Sequence, residues 1–240
     1  MSNDNQVLII DAGNTFTKIA FFCDDKLLNV KRIPSDKIHE HIFSLKKSNI
    51  AISSVLSKQE TKKIIQNLNS TLLITHETPI PLTLKYKSPS TLGMDRICNA
   101  VYAKNHIKTG YAVTIDIGTC IKFDLVSAEG DYLGGSISPG IDLRYKSLNN
   151  YTDNLPLLSE KSETQLIGTD TNTSIHSGVM NGIKAEIHRL IEEYALLFDD
   201  LTFFMTGGDA RYFDIHSKND IFAVENLTLI GLYEIYKFNA

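Results

Sequence analysis

The sequence predicts an α/β protein made of two related halves, each carrying a mixed sheet. Strand-length apolar runs alternate with segments of helical period. One short pattern, an apolar run followed by Asp-x-Gly and a small polar residue, occurs twice. The two copies stand 105 positions apart in a chain of 240 residues. The first is Val7-Leu8-Ile9-Ile10-Asp11-Ala12-Gly13-Asn14-Thr15 and the second is Ala112-Val113-Thr114-Ile115-Asp116-Ile117-Gly118-Thr119. Each is followed by another apolar run, Ile19–Phe22 and Phe123–Val126, so each reads as strand, tight turn, strand. A repeat at nearly half the chain length is accounted for by two domains, 1–108 and 109–240, with the boundary near residues 106–110.

The remaining elements follow in order. Residues 27–33 read as a further strand. A helix is expected over 35–47, started by Ser35-Asp36, then a strand at Asn49–Val55, a helix at 57–68 and a strand at Thr71–Thr75. After Pro89 a helix spans 92–105, with Ser90 or Thr91 as its N-cap. In the second half, 131–138 is a strand and 175–198 an amphipathic helix. Val179, Ile183, Ile187, Leu190, Ile191, Tyr194 and Phe198 share one face of that helix. Leu201–Met205 is a strand. A last helix at 227–238 carries Leu229, Leu232, Tyr233 and Tyr236 on one face. The polar loop 150–168 is the best candidate for a mobile segment.

Composition narrows the function classes. Apolar residues make up 42% and charged residues 22%, enough for a sizeable core. Lys plus Arg is 24 against 28 Asp plus Glu, a net charge of −4, which argues against duplex DNA binding and predicts no nucleic-acid partner. No apolar run approaches the roughly 18 residues of a membrane span, and the polar start Met1–Gln6 lacks a basic signal-peptide region; no membrane partner and a cytoplasmic location are expected. Cys23, Cys98 and Cys120 are odd in number and lack Cys-x-x-Cys spacing, so neither a disulfide framework nor a structural zinc site is expected. His39 and His41 have no acidic or thiol partner at ligand spacing and read as surface residues.

Several segments suit a phosphoryl ligand. Asp11 to Lys18 (Asp11, Ala12, Gly13, Asn14, Thr15, Phe16, Thr17, Lys18) brings a carboxylate, a glycine turn, two hydroxyls and a cation into eight residues. Backbone N–H groups and a Lys attract phosphate, whereas the carboxylate belongs there only with a divalent cation between. Asp116–Thr119 repeats that logic. Gly134-Gly135-Ser136-Ile137-Ser138-Pro139-Gly140 and Thr206-Gly207-Gly208-Asp209-Ala210 are small-residue turns that a ligand or another segment could approach closely. Gly93-Met94-Asp95-Arg96 lies in the first turn of the expected helix. An Asp suits the helix dipole there, while an Arg in that position suggests an anion to meet.

In order along the chain, these motifs make the sequence resemble the type III pantothenate kinases. The family patterns are Asp-x-Gly-Asn-Thr-x-x-Lys, Gly-x-Asp-Arg, Asp-x-Gly-Thr, Gly-Gly-x-Ile-x-Pro-Gly and Thr-Gly-Gly-Asp-Ala. Gly168-Thr169-Asp170-Thr171, followed by Ser177-Gly178, fits a further Gly-x-x-Thr and Ser-Gly block. The resemblance implies membership of the acetate and sugar kinase/heat-shock cognate/actin superfamily. It therefore implies two duplicated ribonuclease H-like domains with mixed sheets and an inter-domain cleft.

The resemblance further implies ATP-dependent phosphorylation of pantothenate to 4′-phosphopantothenate, the first step of coenzyme A biosynthesis. Asp11 to Lys18 and Thr119 would bind ATP, with Asp11 facing Mg²⁺ through water. Asp116 would hold a monovalent cation, K⁺ or NH₄⁺. Tyr86, Gly93, Met94, Asp95, Arg96 and Thr171 would bind pantothenate, with Asp95 as proton acceptor. The family is homodimeric, and Thr171 would complete the partner's pocket. Cys120, beside Thr119, is either an inert buried thiol or a site for thiol reagents. Two alternatives keep the fold: a kinase for another small hydroxyl acceptor, and a non-catalytic regulatory accessory factor. The intact Asp11, Asp95 and Asp116 argue against the latter.

Overall fold

The computed structural model describes residues 6–42, 49–66, 68, 71–215, 218 and 220–240. The chain forms two compact units. The first comprises Met1–Pro81, Ser88–Tyr102 and Leu227–Ala240, the second Leu82–Lys87 and Ala103–Asn226. The last helix is thus grouped with the first unit rather than with 109–240.

The first unit opens on three antiparallel strands, β1 (Gln6–Ala12), β2 (Phe16–Cys23) and β3 (Lys26–Pro34). A one-turn 3-10 segment, Ser35–Lys37, leads into the short helix α1 (Ile38–Ile42). The expected helix 35–47 is therefore shorter at its start, and its residues 43–47 lie outside the described residues. Ser35 does not cap it; the N-cap position is Pro34, and the Ser35 hydroxyl is used elsewhere. Next come β4 (Asn49–Ser54), α2 (Lys58–Gln66) and β5 (Thr71–Leu73), with β4 parallel to β1 and β5 parallel to β4. Residue 67 of the expected helix 57–68 is outside the described residues. The sheet order is β3-β2-β1-β4-β5. Its core gathers Leu8, Ile10, Ile19, Ile50, Ile52 and Ile64. Each such side chain, taken fully out of water, contributes roughly 1.5–3 kcal/mol. His39 reaches Glu60 of α2 at 3.3 Å.

The second unit repeats this plan. After the two-residue strand β6 (Thr83–Leu84) and α3 (Met94–Asn105), whose last residues enter this unit, come β7 (Tyr111–Ile117), β8 (Cys120–Ser127) and β9 (Asp131–Pro139), again antiparallel neighbours. Helices α4 (Ile141–Asn150) and α5 (Thr171–Leu197) precede β10 (Leu201–Thr206) and β11 (Ile221–Ala223), both parallel to β7's direction. The order is β11-β10-β7-β8-β9-β6. Read from the other end, β9-β8-β7-β10-β11 matches β3-β2-β1-β4-β5 strand for strand. The repeat seen in the two Asp-x-Gly segments is therefore a repeat of whole sheets.

Further differences between sequence expectation and structure lie in the second unit. Helix α4 was not expected, although Ile141, Tyr145 and Leu148 are spaced as one helical stripe; the preceding Pro139-Gly140 masks it. The three-residue edge strand β11 is too short to show a period. Helix α5 begins at Thr171 rather than 175, because Asp170 builds a capping box: its carboxylate accepts from Thr173 N, and the Thr173 hydroxyl accepts from Asp170 N. The expected apolar face of α5 is buried, with Val179, Ile183, Ile187 and Ile191 at 3% exposure or less.

The polar loop 150–168 is hydrogen-bonded to its surroundings at several points. Asn149 Nδ2 donates to Leu155 O, Tyr145 Oη to Glu160 O, Asn181 Nδ2 to Gln165 O and Ser177 Oγ to Leu166 O. Lys161 adds ion pairs to Asp142 and Asp209 at 2.9 and 3.1 Å. Burial works against its charge, but these two partners outweigh that and raise its pKa.

Helix α6 (Leu227–Asn239) returns to the first unit, burying Leu229, Leu232 and Tyr233. A Cβ on Gly231 would stand 1.9 Å from the Cys98 carbonyl oxygen, so α6 and α3 pack backbone to backbone there. No helix among the described residues is long and apolar enough to cross a membrane.

Candidate active site

In the first unit, Asp11 is the penultimate residue of β1, directly across from Lys18 in β2 and beside Ser53 in β4. The connecting turn closes through Gly13 N to Phe16 O at 3.2 Å. Ser35 braces it from behind: its hydroxyl donates to Gly13 O at 2.6 Å and meets the Thr17 hydroxyl at 3.1 Å. Ser35 and Thr17 are both buried. Of the two hydroxyls in the motif only that of Thr15 is exposed, and Ala12 lies in the core, so Ala12 and Thr17 support the turn from beneath. The Phe16 ring is exposed and covered by the Arg32 guanidinium at 3.8 Å. Sequence reasoning read Ser35 as a helix start; its burial directly after β3 was the missing signal.

The second cluster in this unit is the start of α3. Ser90 and Thr91 do not cap it. They lie in a separate 3-10 turn, where the Thr91 hydroxyl donates back to Ser88 O, and buried Leu92 then runs extended. The helix starts on Gly93, whose carbonyl accepts from Arg96 N and Ile97 N. The Asp95 carboxylate folds back over Gly93: Oδ1 accepts from Arg96 N at 2.9 Å, and a Cβ on Gly93 would stand 2.4 Å from that same oxygen. The glycine thus makes the room in which Asp95 turns toward the helix start. Arg96 is only 4% exposed, so its guanidinium is inside the unit rather than waiting in solvent for an anion.

One turn on from Asp95 is Cys98, fully buried. Burial pushes its thiol pKa well up, and the negative charges of Asp11 and Asp95 push it further. The two carboxylates that the sequence separates by most of a unit therefore both act electrostatically on the same thiol. A cavity of about 730 Å³ opens beside them, lined by Ser53, Leu56, Ile74, His76, Gly93 and Met94 among others. That volume falls within the range of small-molecule sites.

In the second unit, Asp116 holds the place of Asp11 near the end of β7. Directly across in β8 is Lys122, whose Nζ meets Asp116 Oδ2 at 2.7 Å. The following turn, Gly118-Thr119, is gripped on two sides. Gly140 N donates to Thr119 O at 3.0 Å, and Asp209 N donates to Ile117 O at 3.0 Å. Gly207, at φ +104°, presses its backbone within 2.2 Å of Ile117 O as measured from an added Cβ, which requires glycine on both counts. The three small-residue motifs of this half thus form one brace. Ser138 and Arg144 both meet Glu186 of α5, and Arg144 Nε also donates to Pro139 O at 2.8 Å. Thr119 is exposed and Cys120 half-buried, so Cys120 is not an enclosed thiol.

Tyr86 packs edge-on against Tyr132 with ring centres 5.9 Å apart, and lies over Gly134, whose φ of +107° marks the irregular pairing of β8 with β9. Thr171 is the first residue of α5 and is exposed. Among the described residues no group of three or more His, Cys, Asp or Glu is gathered to hold a metal ion alone.

Comparisons with known proteins place the chain among relatives. A protein of Christiangramia forsetii named type III pantothenate kinase is 40% identical over 238 residues, covering 97% of this chain and 98% of its own. One of the same name from Phocaeicola vulgatus is 39% identical with the same coverage. Among solved structures, a Campylobacter jejuni protein described as a Baf family transcriptional activator superposes with a TM-score of 0.62 at 23% identity, covering 97% of this chain and 98% of that one. A Listeria monocytogenes protein described as an N-acetylmannosamine kinase gives 0.51 at 13% identity, covering 98% and 100%. At these identities the likeness carries the fold alone, two mixed α/β units of the ribonuclease H-like kind. The sequence model of the type III pantothenate kinases matches residues 7–193, and with relatives of 39–40% identity over nearly the full length this chain belongs to the type III pantothenate kinase family.

Proposed function

We propose that this protein transfers the γ-phosphoryl group of ATP to the primary hydroxyl of pantothenate, making 4′-phosphopantothenate, the first step of coenzyme A biosynthesis. The observation that carries this reading is the family match over residues 7–193. The negative charges of Asp11 and Asp95, both felt at Cys98, are in keeping with its chemistry.

Phosphoryl transfer depends on positioning and charge neutralisation more than on covalent steps. In this reading the backbone N–H groups of Asn14 and Thr15 and the Lys18 ammonium receive phosphate oxygens, with Thr119 also contacting ATP. Asp95 accepts the proton of the attacking hydroxyl, a role worth about 10²–10⁴-fold in rate. Its carboxylate is already held by Arg96 N, so little reorientation is needed. Arg96 adds a buried positive charge for the pantothenate carboxylate, and by the resemblance Tyr86, Gly93 and Met94 would also bind pantothenate. A single carboxylate, Asp11, beside a glycine turn suits Mg²⁺, which keeps waters and takes phosphate oxygens as its other ligands. Mg²⁺ would neutralise phosphate charge there, with Asp11 contacting it through water. One further positive charge belongs beside Asp116, given by the resemblance to K⁺ or NH₄⁺.

The protein acts as a homodimer in the cytoplasm, in which Thr171 completes the partner's pocket. Its exposed place at the N-terminus of a 27-residue helix favours an anionic group such as the pantothenate carboxylate.

The test is direct. Purified protein with ATP, Mg²⁺ and pantothenate should yield ADP and 4′-phosphopantothenate, followed by mass spectrometry. Absence of product with K⁺, NH₄⁺ or neither would remove the kinase reading.

A further inference from the structure

The Asp116 site is already furnished with a cation by the chain itself. Asp116 and Lys122 are direct cross-strand partners between β7 and β8, the geometry in which opposite charges on one sheet face meet. Lys122 Nζ lies 2.7 Å from Asp116 Oδ2, and the two side chains are only 16% and 14% exposed. Both units place a lysine across from the aspartate of the Asp-x-Gly hairpin: Lys18 opposite Asp11, Lys122 opposite Asp116. The pair stands at the root of the Gly118-Thr119 turn, clamped by Gly140 and Gly207, so the charge is delivered to a fixed place.

A free K⁺ or NH₄⁺ seated on the same carboxylate would meet this ammonium at close range, where like charges in a partly desolvated site repel. The residues present therefore do not fit a separate monovalent ion. A tethered ammonium matches NH₄⁺ in charge, offers three of its four N–H donors, and avoids the loss of translational freedom that a diffusing ion bears on binding.

We propose that Lys122 supplies, from within the chain, the single positive charge beside Asp116, so that this enzyme needs no monovalent cation. The proposal rests on the kinase reading for its activity arm and on binding alone for its second arm.

In the activity arm, initial rates are measured with ATP, Mg²⁺ and pantothenate in tetramethylammonium buffer, and again with K⁺, NH₄⁺ or Na⁺ at constant ionic strength. The native enzyme should vary by less than about twofold, because a filled site has no linkage to added ion. Lys122→Met, checked for folding by circular dichroism, should lose about tenfold or more in tetramethylammonium and recover with K⁺ or NH₄⁺. In the binding arm, thallous ion is titrated by thallium NMR as a probe for K⁺. The native protein should leave the signal unshifted, and Lys122→Met should bind saturably. Activation of the native enzyme by K⁺ of about tenfold, or saturable thallous binding to it, overturns the proposal. So does a Lys122→Met variant that is fully active and indifferent to K⁺. Should the native protein make no product under any cation, the kinase reading fails while the thallous titration still decides this one.

Discussion

Replacing Gly140 by Ala should damage the Gly118-Thr119 turn without straining the backbone where the change is made. Gly140 has φ −76° and ψ −172°, angles any residue adopts, so conformational strain is not the cause. The cause is contact. An added Cβ would stand 2.0 Å from Gly118 O and 2.8 Å from Thr119 O, whereas real Cβ contacts essentially never fall under 3.0 Å. Both partners are main-chain atoms, so relief requires the turn or the start of α4 to move by about 1 Å. Overpacking of this kind costs typically about 1–3 kcal/mol. Loss of Gly at an N-cap adds about 1 kcal/mol at most. For a chain of this length each kcal/mol lowers Tm by about 2–4 °C, so the variant should melt several degrees early. A 1 Å displacement of a positioning element can cost about 10²-fold in turnover, or roughly 2.7 kcal/mol of transition-state stabilisation.

The assay pairs differential scanning fluorimetry with coupled ADP release at varied ATP. Gly118→Ala is the internal control, since an added Cβ there meets nothing within 4 Å. It should keep the native Tm and raise KM for ATP, because the methyl group occupies the open face of the turn. A Gly140→Ala protein with Tm within about 2 °C and kcat/KM within about threefold of native would refute the reasoning, as would a Gly118→Ala protein that melts earlier than Gly140→Ala.

Three further outcomes are expected. Asp95→Asn should lower kcat by about 10²–10⁴-fold with little change in Tm, and Gly93→Ala, whose Cβ would stand 2.4 Å from Asp95 Oδ1, should lower kcat in the same direction; near-native turnover in both would remove Asp95 as proton acceptor. Tyr145, buried against His176 and Glu160, has its pKa pushed up to about 12 by burial and by the charges of Glu160 and Asp142. A raised folded-state pKa means its stabilisation is complete below the ordinary value near 10 and is lost as pH climbs toward 12. The urea midpoint should therefore fall between those pH values, and less so in Tyr145→Phe; equal slopes would contradict the assignment. Cys98, with its thiol enclosed and its pKa raised, should resist a maleimide in the native state while half-buried Cys120 reacts, read by peptide mass mapping. Labelling of Cys98 before unfolding would count against the packing of α6 on α3.

Much of this was legible in the one-dimensional pattern. The two Asp-x-Gly hairpins could be read because strand period, turn glycine and apolar flanks are local properties, and their repetition anticipated two sheets of matching order. The buried face of α5 followed from its helical spacing for the same reason. The start of α3 was misplaced because a 3-10 turn at Pro89–Thr91 carries the same capping residues as a helix start. Helix α4 was hidden by Pro139-Gly140, residues that usually end structure, here used for the close approach of Gly140 to Gly118.

What the sequence determined by itself was the repeat, the order of the motifs and, through them, the family. What only the tertiary structure decided was which side chains those motifs set against each other. Asp11 and Asp95 are 84 positions apart, and their charges both reach Cys98 only once α3 is packed. Lys122 is the plainest case. In the first hairpin the residues between paired Ala12 and Thr17 number four, and in the second, between Ile117 and Ile121, three. The lysine opposite the aspartate therefore lies seven positions on in one copy and six in the other. Side chains alternate faces along a strand, so a motif aligned by position puts Phe123 where Lys18 stands, and only the hydrogen-bonded register, set by the shorter turn, brings Lys122 across to Asp116.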